Sequence, residues 1–280
     1  MFRIHNIPGF TDILLLNTCG SFFNRSPMQA YFLLVDNTFI DTGNLNDDIS
    51  EFRSFVEGLD TEREWQIVNT HLHEDHCGNN AMVQRILDAK IMAPEKVEDF
   101  SHISFLMHLY WGRPEPFEYE LFSSDIVKTD RGRTIRIIPA PGHTPDHVCC
   151  YIEDDDILFT GDAVPLPSRK QYTMPEEDYR QMIHTMKQIL DFISPSTTVI
   201  TAHNNILEDP RSYIMKRIEN MERVVRDVEA VWGDSRQDYS AVAEEIFGRE
   251  ALLYRIWGHR VRADQATTIR SIIHPAHALS

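Results

Sequence analysis

The chain is short of positive charge: 27 Lys and Arg stand against 43 Asp and Glu, a net charge of -16. Phosphate backbones are bound by basic surfaces, so nucleic acid is excluded as an expected partner. No run approaches the roughly 18 apolar residues that a membrane span requires, so no membrane partner is expected either. Residues Met1 to His5 lack the basic and apolar regions of a signal peptide. Cysteine is scarce as well. Cys19, Cys77, Cys149 and Cys150 include an adjacent pair and make a poor disulfide framework. Reduced thiols and a cytoplasmic location are the expectation. Internal repeats and low-complexity tracts are missing, which excludes a solenoid. The 280 residues suffice for one large domain, or a domain with an appendage. A chain of this length buries roughly three quarters of its unfolded surface and needs no disulfides.

Histidine, by contrast, is clustered. Residues 71 to 76 read His-Leu-His-Glu-Asp-His. Three imidazoles and two carboxylates fall within six positions, and these are ligand types that first-row divalent metals prefer. The preceding Gln66-Ile67-Val68-Asn69-Thr70 reads as a buried strand ending at His71. The cluster would then lie on a loop presented by a rigid scaffold.

Short strands are expected at 13–16, 30–35 and 38–41, with a hairpin turn at Asp36-Asn37. A helix over Asp47 to Glu57 places Ile49, Phe52, Phe55 and Val56 at helical spacing, and another spans Ala81 to Ala89. Residues 90–93 read as a strand. The segment Phe100 to Phe122 is rich in aromatic residues and is broken by Pro114 and Pro116. Strands at 134–138, 148–152, 157–160 and 198–201 follow, with a helix over about 176–192 between the last two. Residues 206–280 read as three or four helices, with Ile214, Ile218, Met221, Val225 and Val228 forming one stripe.

Ligand-type residues recur at strand ends. The segments are Thr70-His71-Leu72-His73-Glu74-Asp75-His76, Pro141-Gly142-His143-Thr144-Pro145-Asp146-His147, Phe159-Thr160-Gly161-Asp162, and Ala202-His203. Ile40-Asp41-Thr42-Gly43 precedes them. In order and neighbours this pattern resembles the metallo-β-lactamase fold superfamily over about residues 10–205. The resemblance implies an α/β four-layer αββα sandwich, with a helical C-terminal appendage added here. Residues 1–205 would form the catalytic domain and 206–280 the extension. It further implies that His71, His73 and His143 bind one metal, that Asp75, His76 and His203 bind a second, and that Asp162 bridges them. Asp41 and His147 would orient ligands through hydrogen bonds. The last motif has Ala202 where the family usually has Gly, and a crowded turn there would shift His203. Glu74 is expected to point away from its neighbours and not to be a ligand. In the aromatic insert, His102, His108, Tyr110 and Trp111 are candidates for lining a substrate pocket.

Two dications sharing a water explain such a ligand set. Metal binding brings the pKa of water from about 15.7 to about 7, which is worth about 12 kcal/mol at about 1.36 kcal/mol per unit. A side-chain base alone contributes only about 10²- to 10⁴-fold. The expectation is a dinuclear metal-dependent hydrolase whose metal-bridging hydroxide attacks a thioester, ester or lactone, similar to the hydroxyacylglutathione hydrolase branch. Asp75 is the candidate catalytic carboxylate. Zn²⁺ is the first expected metal, and Fe or Mn share these ligand preferences. Two other readings stay open: a non-haem iron oxygenase of the same fold acting on a sulfur substrate, and a non-enzymatic metal-binding regulator. The partner is expected to be a small-molecule substrate, and the C-terminal helices offer a surface for a homodimer.

Overall fold

Alternation of side chains along the strands divides the apolar residues between two faces. In the long hairpin of β2 (Ile13–Phe22) and β3 (Arg25–Val35), Leu15 and Leu33 face one way, and Leu16, Phe32 and Leu34 the other. The same period separates Phe39 from Ile40 in β4 (Thr38–Ile40) and Ile67 from Val68 in β5 (Gln66–Val68). A strand with both faces apolar must be covered on both sides, and the architecture follows from that. The computed structural model describes residues 2–22, 25–45, 49–95, 111–166, 172–233, 238–249 and 264–274.

Seven strands form the first sheet in sequence order. They run from β1 (Arg3–Asn6) through β2 to β5, then β6 (Lys90–Ala93) and β7 (Glu120–Leu121). The pairings are antiparallel up to β4 and parallel beyond it. Six strands form the second sheet: β8 (Ile126–Lys128), β9 (Thr134–Pro139), β10 (Val148–Ile152), β11 (Ile157–Phe159), β12 (Thr198–Thr201) and β13 (Asn205–Ile206). Only β11 and β12 pair in parallel there.

The inner faces of the two sheets pack together. Leu15, Leu33, Ile40 and Val68 meet Ile137, Cys150, Phe159 and Ile200. The outer face of the first sheet is covered by α1 (Ile49–Glu57) and α3 (Asn80–Leu87), through Phe52, Val56, Met82, Val83 and Leu87. Phe52 is fully buried, with the Phe32 ring edge-on at 5.3 Å. On the second sheet, Cys149, Leu158 and Val199 face outward against α4 (Tyr179–Phe192). The same apolar cluster continues into α5 (Pro210–Trp232), α6 (Tyr239–Phe247) and α7 (Gln265–Ile273). The layers are therefore αββα, with C-terminal helices added to the last. Cys149 and Cys150 point to opposite faces, and none of the four cysteines forms a disulfide.

Each of the four later helices begins at an aspartate. Asp178, Asp209, Asp238 and Asp264 accept hydrogen bonds from backbone N–H groups of their first turns. Part of the acidic excess thus serves as helix caps. Strands β1, β7, β8 and β13 are additions to the sequence expectation, β2 and β3 run beyond the expected 13–16 and 30–35, and two helical segments differ as well. Residues 74–77 form a single helical turn, α2 (Glu74–Cys77), rather than loop. The helix expected from 176 starts at Tyr179, because Asp178 is its cap and the two preceding glutamates point elsewhere. No helix among the described residues is long and apolar enough to cross a membrane.

Candidate metal centre

Strands β4, β5, β11 and β12 all end at one edge of the sandwich, where the β9–β10 connection also lies. Two backbone hydrogen bonds join the sheets there: Val148 N–H donates to Thr70 O (2.9 Å), and Tyr31 N–H to Ala202 O (2.7 Å). Past these strand ends the chain turns sharply. Asp41 has φ +63° and Gly161 φ +50°. A Cβ at Gly161 would sit 2.9 Å from both His147 Nε2 and Thr70 Oγ1, so only glycine fits this approach. The helical turn α2 then swings Asp75 and His76 back toward the edge, with Thr42 N–H donating to His76 O at 2.8 Å.

Two groups of side chains result. His71, His73 and His143 converge, and so do Asp75, His76, Asp162 and His203, each within 4.8 Å. Asp162 lies between the groups. Its Oδ2 is 3.3 Å from His143 Nε2 and 3.3 Å from His203 Nε2, and its Oδ1 is 3.6 Å from His76 Nε2. His203 Nε2 also lies 3.3 Å from Asp75 Oδ2. All seven residues named from the sequence come together, and Ala202 leaves His203 within this group.

Four of the five histidines in the two groups are oriented by hydrogen bonds from behind. His76 Nδ1 donates to Asp41 Oδ2 (2.7 Å), and His203 Nδ1 to Gln29 O (2.6 Å). Thr70 Oγ1 donates to Asp41 Oδ2 (2.8 Å), and Thr70 Oγ1 in turn accepts from His71 Nδ1 (3.1 Å). His143 Nδ1 donates to Glu177 Oε1 (3.0 Å). In the neutral form of these rings, the bonds leave the opposite nitrogen with its lone pair facing the centre, as a metal ligand requires. His71 Nε2 and His76 Nε2 are buried without a hydrogen-bond partner. Buried polar atoms aimed at one point are costly unless something satisfies them, and divalent cations fit these donors.

The charges agree. Burial alone would raise the Asp162 carboxyl, yet His203, His76 and His143 hold it well below the usual range. Burial would depress His203, but Asp162 and Asp75 raise it to about 10. His76 likewise stands well above its ordinary value, since Asp75, Asp41 and Asp162 outweigh burial. Asp75 and Asp162 thus favour positive charge on His76 and His203, and a bound cation would supply that positive charge in their place. His71 is held well below its ordinary value by burial and then by its histidine neighbours, and stays neutral as a ligand must.

Asp41 and His147 flank the groups. His147 Nε2 accepts from Asp162 N–H (3.1 Å) and so fixes the backbone that carries Asp162. Trp111 is buried, and its ring stacks against His203 at 6.2 Å. His102, His108 and Tyr110 lie outside the described residues. Glu74 joins neither group, and its Oε1 is buried without a hydrogen-bond partner. Cys77 packs with Leu72 and Ala93 as a small apolar side chain. Burial pushes the Cys149 thiol up to about 12, which makes it a poor nucleophile. The sequence reading missed Glu176 and Glu177, both buried against the first group.

A metal-binding edge on an αββα sandwich defines a class of protein, and sequence comparison agrees with it. The profile of the metallo-beta-lactamase superfamily matches residues 30–191, and the chain belongs to that superfamily. Among its relatives is an atrochrysone carboxyl ACP thioesterase of Claviceps purpurea, 25% identical over 61% of this chain and 48% of that protein. A hydroxyacylglutathione hydrolase of Erythrobacter litoralis is 24% identical over 64% of each chain. The chain thus spans from about half to two thirds of the length of these relatives. The crystal structure of a beta-lactamase domain protein from Burkholderia ambifaria aligns with a TM-score of 0.69 at 17% identity, over 98% of this chain and 88% of that one. This likeness shows the fold.

Proposed function

We propose that the protein is a dinuclear metal-dependent hydrolase acting on a thioester, ester or lactone. The observation that carries this is the position of Asp162, whose carboxylate lies 3.3 Å from a histidine of each group. His71, His73 and His143 would hold one cation, Asp75, His76 and His203 the other, and Asp162 both. A nitrogen- and oxygen-only donor set suits zinc, with iron and manganese as alternatives. Two bound dications would supply a nucleophile at neutral pH and Lewis acidity for a carbonyl.

The chain's own residues prepare the site. Asp41 and Thr70 fix the tautomers of His76 and His71, Gln29 O fixes that of His203, and His147 fixes the loop of Asp162. Asp75 is the proposed catalytic carboxylate, held ionised by His76 and His203 against the effect of burial. Asp162 and His203 are the least buried residues of the two groups, and Trp111, stacked on His203, would form a wall for the acyl portion of a substrate. His102, His108 and Tyr110 are proposed to complete that wall. A thiol leaves as its anion with a pKa of about 8.5 and makes little demand on a proton donor, which favours a thioester. The names of the relatives support the same choice.

The test is turnover of a panel of acyl thioesters and lactones. Chelation should abolish turnover and added zinc should restore it. Asp75→Asn should lower kcat at least about 10²-fold, the scale of losing a positioned acid–base group, while circular dichroism stays unchanged. Undiminished turnover in Asp75→Asn or in chelated protein would refute the proposal.

A further inference from the structure

The turn that precedes α4 is held by the C-terminal helix α7. Thr173 pairs with Asp264 in an isolated antiparallel bridge, and Thr173 Oγ1 donates to Thr268 Oγ1 (2.6 Å). Ser271 Oγ donates to Glu177 O (2.6 Å) and accepts from Tyr179 N–H (2.9 Å). Arg180 Nε donates to Ile272 O (2.8 Å). The backbone is therefore gripped on both sides of Glu176 and Glu177.

Both glutamates turn inward. Glu177 Oε2 accepts from Met174 N–H (2.8 Å), which locks its rotamer, and its Oε1 accepts from His143 Nδ1 (3.0 Å). Glu176 Oε1 stands 3.6 Å from His73 Nε2. The two glutamates are 4% and 3% exposed, so their carboxylates face histidines rather than water. Two of the three histidines of the first group are thus backed by carboxylates from a single turn. A carboxylate behind an imidazole fixes its tautomer and raises its basicity as a ligand. The second group draws its support from Asp41 and Gln29, on the other sheet.

We infer that Glu177, with Glu176 beside it, is a positioning residue of the first metal group, and that α7 sets its place through Ser271. The C-terminal helices then belong to the construction of the metal centre. The inference rests on the proposed two-ion reading.

Single-site backgrounds test it. His203→Ala leaves the first group intact, and His71→Ala leaves the second. Each metal-free protein is titrated with zinc against a chromophoric chelator, with and without E177Q, and circular dichroism verifies the fold. E177Q should weaken zinc binding about 10- to 100-fold in the His203→Ala background and leave the His71→Ala background unchanged. S271A should weaken the first group in the same direction, and S271T should restore it. Equal losses in both backgrounds, or none in the first, would overturn the inference and leave the two-ion reading standing. If neither background binds zinc, that reading fails and the inference with it.

Discussion

Asp156 shows how single residues here combine backbone geometry with charge. It sits at φ +50° where the chain enters β11, a conformation that Asp tolerates better than most residues. Its carboxylate accepts from Ser196 (2.7 Å), Thr197 (2.8 Å) and Tyr151 (3.1 Å). Burial raises its pKa, but these hydroxyls outweigh it and leave the value below the ordinary 3.8. A depressed carboxyl stabilises the fold fully above its unfolded value, and that stability is lost as pH falls through the folded one. Asp156→Asn keeps the shape and removes the charge. It should cost about 1 kcal/mol at neutral pH, and the difference from wild type should vanish in acid. Urea denaturation across pH measures this, and a difference that stays constant from neutral pH into acid would contradict it. The candidate metal-site residues are legible in the sequence for another reason. His71, His73, Asp75 and His76 are local in sequence, and each distant partner ends a recognisable strand. Glu176 and Glu177 carried no such signal. They are two acids among 43, and the proposed role depends on α7, whose Ser271 lies 94 residues from Glu177 in sequence.

Elements are punctuated by side chains as much as by periodicity. Asp209 Oδ1 accepts from Ser212 N–H (3.0 Å), and Pro210 occupies the first turn of α5. Asp209→Ala should cost about 1 kcal/mol in urea denaturation, and Asp209→Asn, which can still accept the bond, only a few tenths. Equal losses in the two variants would show that the charge, not the cap, matters. Strands buried on both faces, such as β10 and β12, have the bounds their apolar runs suggest. Strand β1 was invisible because its residues are mostly exposed and show no apolar alternation. Strand β7 has two residues, too few for any pattern. The turn α2 was read as loop because four residues cannot display a helical period, yet that turn brings Asp75 and His76 inward.

Across the whole molecule, the arrangement places ligands from both sheets at one edge. The first sheet supplies residues 71–76, the second supplies His143, Asp162 and His203, and the sheets are joined at that edge by main-chain bonds of Thr70 and Ala202. An apolar core between the sheets fixes their distance, so packing sets the positions of the two candidate ligand groups. We propose that this edge holds two ions linked by Asp162. The most direct measurement is metal content after equilibrium dialysis of metal-free protein against zinc, for wild type and Asp162→Asn. The account predicts two ions per chain in the wild type and fewer in the variant. One ion or none in the wild type, or two ions held equally tightly by Asp162→Asn, would contradict it.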